Sequence, residues 1–250
     1  MLGAGLGVRI TKDDVVKIPK VRNNIEIINK DYDPILKGKR KEYTSLVERS
    51  KNLVEIEIGD SRGGWTTALD MYFKLIYSVQ YKDVNTIVFN FNNIRERGER
   101  IKGFGGKSSG HETLMQMFEK IHEITQQGDG EHYKLKTIDA MDIMCHIALN
   151  VVSGNVRRSS LMVLCEEDDY DIINAKSNLY VNNNGVWELN KKLEHRQMSN
   201  NTIIYKDKPT QYKFHENFTK LRYTGEPATL NLEQALKRNP NAKGLNPLTD

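Results

Sequence analysis

The 250-residue sequence has few of the features that mark secreted, membrane-spanning or metal-dependent proteins. Its two cysteines, Cys145 and Cys165, are too few for a disulfide framework, and neither has a nearby Cys or His at metal-ligand spacing. No apolar run approaches the ~18 residues that cross a bilayer, and the start of the chain lacks the basic region of a signal peptide. We therefore expect a cytoplasmic protein with no membrane partner and no bound metal.

The charge balance is also far from extreme. Lysine and arginine number 37 and aspartate and glutamate 33, which gives a net charge of +4 at pH 7. This small excess suits an anionic ligand but falls short of the basic excess of a dedicated nucleic-acid-binding domain. We therefore expect no direct contact with nucleic acid.

Strand and helix patterns alternate along the chain. Val54, Ile56 and Ile58 alternate with glutamates as in a half-buried strand, and Asp60 or Ser61 is expected to cap the helix that follows. Residues 86–91 form a second predicted strand, and residues 161–165 have the continuous apolar character of a strand buried on both faces. The order strand, helix, strand predicts an α/β domain with a parallel sheet.

Three predicted helices separate these strands, and each has an apolar face. The faces are Leu69, Phe73, Ile76 and Tyr77 in the first helix, Leu114, Met117, Phe118 and Ile121 in the second, and Ile138, Met141, Cys145, Ala148, Leu149 and Val152 in the third.

Two stretches combine glycine, serine and basic side chains. The first, RIKGFGGKSSG, covers residues 100–110, and the second, SGNVRRSS, covers residues 153–160. Free backbone amides and cationic side chains can together bind a polyphosphate. Composition alone also fits a flexible surface loop, but two such stretches in one α/β domain favour a nucleotide site.

Neither of the two familiar phosphate-binding motifs is present. A P-loop needs a glycine five residues before Gly106, and that position is Ile101. The glycines near the start of the chain lack the third glycine of a dinucleotide fingerprint, because its position is Val8. A phosphohydrolase of the P-loop type is therefore disfavoured.

Single histidines, cysteines and acidic residues give no catalytic pattern. Cys145 lies on an apolar helical stripe and Cys165 ends a predicted buried strand, so we expect both in the core. His146 follows Asp142 by four residues, which is typical of an exposed helical pair. The acidic residues 166–169 could hold a divalent metal, but a solvated turn is the more common structure.

Six motifs, taken in their order along the chain, resemble one enzyme family. They are GDSRGGW, RIKGFGGKSSG, TIDAMDIMCHIALNVVSGNVRRSSLM, EHRQMSNNTIIY, GEPATLNLE and GLNP. Together they resemble the adenosylcobalamin-dependent (class II) ribonucleotide reductases, particularly the monomeric ribonucleoside-triphosphate reductases, over about residues 1–247. The resemblance implies part of an α/β barrel with an inserted α+β subdomain.

The resemblance also implies a domain organisation and a set of nucleotide-binding residues. Residues 1–11 would begin the barrel segment, 12–85 would form the insertion subdomain, 86–247 would continue the barrel, and 248–250 depart from the family pattern. The residues implied to bind a deoxynucleoside triphosphate effector are Asp60, Ser61, Arg95, Arg97, Arg100 and Lys102. Those implied to form a specificity loop are Ser153, Gly154, Asn155, Val156, Arg157, Arg158 and Ser159.

The family's catalytic cysteine is absent from its expected place. In such enzymes a cysteine directly after an Asn-Pro pair becomes a thiyl radical, generated through adenosylcobalamin, and removes a ribose hydrogen from the nucleotide. Here Asn246 and Pro247 are followed by Leu248. We therefore expect an internal segment that is inactive alone and needs the remaining reductase segments to act on a nucleoside triphosphate. A non-catalytic deoxynucleotide-binding module is the alternative.

Overall fold

A computed structural model of the protein describes residues 5–101, 106–151 and 160–244. In chain order the strands are β1 (Gly5–Ile10), β2 (Val21–Arg22), β3 (Glu26–Asn29), β4 (Ser45–Glu48), β5 (Leu53–Glu57), β6 (Thr86–Asn90), β7 (His132–Tyr133), β8 (Ser160–Glu166), β9 (Tyr180–Asn183), β10 (Val186–Leu189), β11 (Ser199–Tyr205) and β12 (Ala228–Asn231). The α-helices are α1 (Lys12–Lys17), α2 (Arg62–Tyr77), α3 (Glu112–Thr125), α4 (Thr137–Val151), α5 (Tyr170–Ile173), α6 (Gln211–Thr224) and α7 (Leu232–Arg238). Short 3-10 helices occupy Lys37–Lys39, Val79–Tyr81 and Glu194–Met198.

These elements form two compact units. The first contains described residues 5–18, 136–151 and 160–244, and the second contains described residues 19–101 and 106–135.

A four-stranded parallel sheet in the order β1-β8-β11-β12 organises the first unit. The central strand β8 buries Leu161, Val163, Leu164 and Cys165, which confirms the strand predicted from its continuous apolar run. α4 contributes Met141 to the same core. The predicted α/β class is therefore confirmed, and within the described residues the sheet is open, as in part of a barrel.

A mixed sheet in the order β3-β6-β5-β4 organises the second unit. β3, β6 and β5 run parallel, and β4 is antiparallel to β5. α3 has all four residues of its predicted face buried, and the Phe118 ring lies 4.4 Å from the ring of Phe89 on β6. The apolar period therefore identified the buried face of this helix correctly.

The predicted face of α2 is wrong in part. Tyr72 and Leu75 are fully buried, whereas Tyr77 is 39% exposed. Tyr72 can enter the core because its hydroxyl oxygen lies 2.8 Å from Thr125 Oγ1 and 3.0 Å from His122 Nδ1, so its polar atom is satisfied there. The sequence pattern did not reveal these partners.

The second unit differs in extent from the predicted insertion subdomain of residues 12–85. α1 belongs to the first unit because its Val15 packs in the same core as Met141 and Cys145. β6 begins directly after residue 85 and lies between β3 and β5. Because β6 is a central strand, the sheet of the second unit needs it, and the unit continues to residue 135.

α6 in the first unit has aromatic side chains on its outer face. The rings of Phe214 and Phe218 stack with centroids 6.3 Å apart and are 47% and 54% exposed, and Tyr212 is 81% exposed. Among the side chains of this helix that the structure describes, Asn217 is buried, and its Nδ2 donates to Tyr205 Oη over 2.6 Å. Within the described residues, the rings of Phe214 and Phe218 are therefore only half covered.

Candidate functional site

The predicted effector residues lie on two segments that leave the same edge of the second sheet. β5 ends at Glu57 and leads into the turn of residues 59–64, and β6 ends at Asn90 and leads into the basic loop. The two strands are adjacent and parallel, so their carboxyl ends lie side by side. Ligands of open parallel sheets bind at this edge.

The turn after β5 is too tight for side chains at two of its glycines. A Cβ atom on Gly59 would lie 2.4 Å from the carbonyl oxygen of Glu42, and one on Gly64 would lie 2.7 Å from it. Ser61 caps α2, because its Oγ accepts a hydrogen bond from the Gly64 amide over 2.9 Å. The predicted cap is confirmed, and it places Asp60 and Ser61 at a helix N-terminus, where anions are favoured.

Asp60 and Arg95 bind each other. Arg95 Nε donates to the two carboxylate oxygens of Asp60 over 3.1 and 3.0 Å, and the Arg95 amide donates to one of them over 3.4 Å. The Asp60 side chain is only 10% exposed. The pair thus joins the loop after β6 to the turn after β5 and holds Arg95 beside the start of α2.

Residues 98–101 and 106–108 form the two arms of a hairpin. The Gly98 amide donates to Ser108 O over 2.9 Å, and the Ser108 amide donates to Glu99 O over 2.8 Å. Gly98 and Gly106 have φ angles of 90° and 87°, which glycine adopts without strain. Lys102, another predicted site residue, lies outside the described residues.

Arg97 and Arg100 are exposed on this loop. Within residues 5–101, 106–151 and 160–244, neither side chain has a hydrogen bond or ion pair. Arg100 forms an antiparallel β-bridge with Lys107, so the opposite arm carries a third exposed cation. Guanidinium groups with unused donors suit the oxygens of a polyphosphate.

Arg40 and Glu99 belong to this region but were not predicted. Arg40 Nη1 donates to Glu99 Oε2 over 2.7 Å and lies 4.0 Å from Asp60 Oδ2. The hydrogen bond from Arg40 is the main reason that the pKa of Glu99 lies below its usual range. The only sequence signal was the basic run KGKRKE at residues 37–42, which does not show which cation is buried.

The predicted specificity loop, residues 153–159, lies outside the described residues. Its described neighbours are α4, which ends at Val151, and β8, which begins at Ser160. The chain segment that contains the loop therefore connects α4 to β8.

Cys145 and Cys165 are core residues, as predicted. Both are fully buried. Burial raises the pKa of Cys145 to about 11 and that of Cys165 to about 12. Both are therefore neutral thiols at physiological pH and lack the thiolate character of a reactive cysteine.

Neither thiol of the folded chain is expected to react with Ellman's reagent at pH about 8, because both are buried and protonated. Unfolding in concentrated guanidinium chloride should make both thiols reactive at once. A Ser177→Cys variant provides the control, since Ser177 is exposed in the first unit and its replacement should react in the folded state. Rapid modification of a native cysteine in the folded chain would contradict the buried placement.

The acidic residues at the end of β8 and directly after it form ion pairs. The pairs are Glu166 with Lys206, Glu167 with Lys213 and Asp168 with Lys12, at 3.2, 2.8 and 2.9 Å. They border a cavity of about 320 Å³. No group of three or more side chains suited to a metal occurs in the part of the chain that the structure describes.

Asp142 and His146 do not form the predicted exposed pair. Asp142 accepts hydrogen bonds from Nε and Nη2 of Arg196 over 2.8 and 2.7 Å, and its Oδ1 lies 3.0 Å from His195 Nε2. His146 stacks on His195 with ring centroids 4.1 Å apart. Partners that are distant in sequence therefore replace the local pair, and the Asp142 side chain is only 14% exposed.

Comparison with known proteins confirms the resemblance found in the sequence. Residues 21–125 match the family model for the insertion domain of B12-dependent ribonucleotide reductases. The chain is 30% identical over 249 residues to the adenosylcobalamin-dependent ribonucleoside-triphosphate reductase of Lactobacillus helveticus, a match that covers 96% of this chain and 31% of the relative. The enzyme of the same name from Lacticaseibacillus paracasei is 29% identical over 271 residues, covering 99% of this chain and 34% of the relative.

A solved structure has a similar fold. The crystal structure of a B12-dependent (class II) ribonucleotide reductase matches with a TM-score of 0.71 and 23% identity, over 92% of this chain and 30% of that chain. The chain therefore spans about a third of the length of the proteins it matches. Within the described residues, no helix combines the length and the apolar character needed to cross a membrane.

Proposed function

We infer that this chain is a segment of a B12-dependent ribonucleotide reductase and that its second unit binds a deoxynucleoside triphosphate effector. The observation that supports this most directly is the Asp60–Arg95 pair, which holds a basic loop at the N-terminus of α2. The match to the insertion-domain family falls within the same unit. Nucleotide binding is therefore proposed for the edge where the residues after β5 and β6 meet.

The effector's phosphates would bind the cations of the basic loop. Arg97 and Arg100 are exposed with unused donors, Arg95 is held in place by Asp60, and Lys102 would add a fourth charge. Ser61 and the first turn of α2 would face the nucleoside side of the ligand. Charge-assisted hydrogen bonds to phosphate are about twice as strong as neutral ones, so these arginines would supply most of the affinity.

Residues 153–159 are proposed as the specificity loop between effector and substrate. Such coupling needs a segment with two arrangements whose balance the effector shifts. Gly154 would lower the backbone strain of such a change.

In the complete enzyme we propose reduction of ribonucleoside triphosphates, with adenosylcobalamin supplying the radical chemistry. The cavity of about 320 Å³ beside Glu166 and Lys213 does not fit this cofactor, because it is lined mainly by charged side chains rather than by the apolar surface that suits a large ring. Cys145 and Cys165 are buried, and Leu248 follows Pro247. The remaining reductase segments would therefore supply the cofactor site and the catalytic cysteine, and the free thiols suit the reducing cytoplasm.

A non-catalytic deoxynucleotide-binding module is the second candidate. It is favoured by the buried, protonated state of both cysteines. One assay separates the two candidates: the chain is mixed with the remaining segments of a relative's reductase, adenosylcobalamin, a ribonucleoside triphosphate and a dithiol that supplies the two electrons of the reduction. Formation of deoxynucleotide supports the reductase, whereas effector binding without turnover supports the module.

Replacing both Arg97 and Arg100 with alanine should weaken dATP binding by about 100-fold, since each hydrogen-bonded charge contributes about 1.5 kcal/mol and 1.4 kcal/mol corresponds to tenfold. Calorimetry with each of the common deoxynucleoside triphosphates would measure the loss. A Lys192→Ala variant is the control, because it removes an exposed cation from the other unit. Absence of binding by the unmodified chain, or equal losses in control and double variant, would refute the proposed site.

A further inference from the structure

We propose that Arg40 is a positioning residue of the nucleotide site, which holds the basic hairpin in place through Glu99 without contacting the ligand. The proposal rests on the effector site proposed above. The observations that support it are different, however. They concern a buried cation, Arg40, to which neither the sequence motifs nor the family resemblance gave a role.

The Arg40 guanidinium is buried and directed at the hairpin. Its side chain is 8% exposed. Nε donates to Ile35 O over 2.9 Å, and Nη1 donates to Glu99 Oε2 over 2.7 Å. A buried cation is tolerated when its donors are paired, so these two bonds fix the direction in which the side chain extends.

The backbone beside Arg40 is fixed independently of its side chain. Lys41 O accepts a hydrogen bond from the Asp60 amide over 2.8 Å, and the Lys41 amide donates to Asn93 Oδ1 over 3.0 Å. The segment is thus tied to the turn after β5 and to the loop after β6. Removing the Arg40 side chain should therefore release the hairpin without displacing the segment.

Glu99 is the point at which Arg40 can control the hairpin. Its carbonyl oxygen accepts from the Ser108 amide, so fixing Glu99 fixes both arms. Its other ionic partner, Lys37, lies at 3.5 Å with a side chain that is 67% exposed. Such an exposed contact is weak, and Arg40 is the main partner.

The pairing also changes the charge that a phosphate would meet. Glu99 is the one acidic residue of the two described hairpin arms, and an unpaired carboxylate there would lower the positive potential that attracts a phosphate. Arg40 neutralises this carboxylate at 2.7 Å. The loss of Arg40 would therefore both loosen the hairpin and leave a free negative charge on it, which would weaken the attraction for phosphate.

The test is a double-mutant cycle between Arg40 and Glu99. Arg40→Gln is expected to weaken dATP binding about tenfold but to leave deoxyadenosine binding unchanged, because only the phosphates meet the hairpin. The variant Arg40→Gln/Glu99→Gln should bind no worse than Arg40→Gln, because the two residues act as one unit. Lys39→Gln is the matched control, since Lys39 is adjacent, cationic and exposed; its binding should be unchanged.

A second readout separates positioning from general instability. Amide exchange at Ser108 should accelerate in Arg40→Gln while exchange in β5 and β6 stays unchanged, and Arg40→Lys should recover part of the affinity because it keeps the charge. Equal losses for dATP and deoxyadenosine, additive losses in the cycle, or a loss in Lys39→Gln would overturn the role of Arg40. If the unmodified chain binds no deoxynucleotide, the proposed effector site fails as well; if it binds, and only the Arg97 and Arg100 substitutions matter, the Arg40 inference alone fails.

Discussion

Replacing Gly59 with alanine is expected to destabilise the second unit by about 3 kcal/mol. The added Cβ would lie 2.4 Å from Glu42 O and 2.5 Å from the carbonyl carbon of Tyr43. These are backbone atoms, so no side-chain rotation relieves the overlap and the turn itself must move. Urea unfolding would measure the effect through Trp65 fluorescence in a Trp187→Phe background, which leaves a single reporter in the second unit.

Gly63→Ala is the matched control for this substitution. An added Cβ there meets only Ser61 Oγ, at 3.8 Å, which is an ordinary contact. Because alanine favours helix over glycine, we expect this variant to be unchanged or more stable by up to about 1 kcal/mol. Equal behaviour of the two variants would show that the tight approach of Gly59 to the Glu42 carbonyl is not present in solution.

Asp142→Asn should destabilise the first unit by about 3 kcal/mol at neutral pH. The substitution removes the charge that pairs with Arg196 at 2.7 Å and lies 3.0 Å from His195, which leaves the buried guanidinium without its counter-ion. The unfolding of the first unit can be followed by the rate at which Cys145 and Cys165 become reactive in rising denaturant. Asp171→Asn, an exposed acidic position of the same unit, is expected to leave this rate unchanged.

The destabilisation caused by Asp142→Asn should depend on pH. Burial raises the pKa of Asp142, but the contacts with His195 and Arg196 outweigh it, so the pKa in the folded chain lies below its usual value of 3.8. A carboxyl group whose pKa is lower in the folded chain than in the unfolded chain stabilises the fold at pH values above its unfolded pKa. This stabilisation is lost as the pH falls through its folded pKa. The difference in the free energy of unfolding between the unmodified chain and Asp142→Asn should therefore be constant near neutrality and shrink below pH about 4. A difference that grew on acidification would contradict this ion pairing.

Periodicity and apolar runs predicted three of the strands (β5, β6 and β8) and three of the helices (α2, α3 and α4), but not their ionic partners. β8 and the buried face of α3 could be predicted from local patterns, because the spacing of apolar residues along the sequence indicates which side chains are buried. Glu55 alternates with apolar residues and was expected to face water, yet it is 4% exposed. Asn90 Nδ2 donates to it over 2.7 Å and Arg49 pairs with it at 2.6 Å, and no local pattern shows the approach of Asn90.

In the candidate site, too, some features could be predicted from the sequence and the ionic contacts could not. Asp60 and Arg95 were expected in the site from the family resemblance, whereas the adjacency of β5 and β6, which brings the two residues together, was not predicted. The buried contact between Arg40 and Glu99 joins residues 59 positions apart, and their separation in sequence hides it. Charge runs indicate cations, whereas only the packed chain shows which cation is desolvated and which remains available to a ligand.

The outward aromatic rings of α6 leave part of the hydrophobic free energy of the first unit unrealised. Full burial of a phenylalanine is worth about 1.5–3 kcal/mol, and Phe214 and Phe218 are each about half exposed. The helix is instead oriented by the polar contact of Asn217 with Tyr205. An ion pair between Lys213 and Glu167 at 2.8 Å adds a second polar contact. Burial of the exposed halves of the two rings would stabilise the unit further, so their hydrophobic free energy remains available to whatever covers this helix.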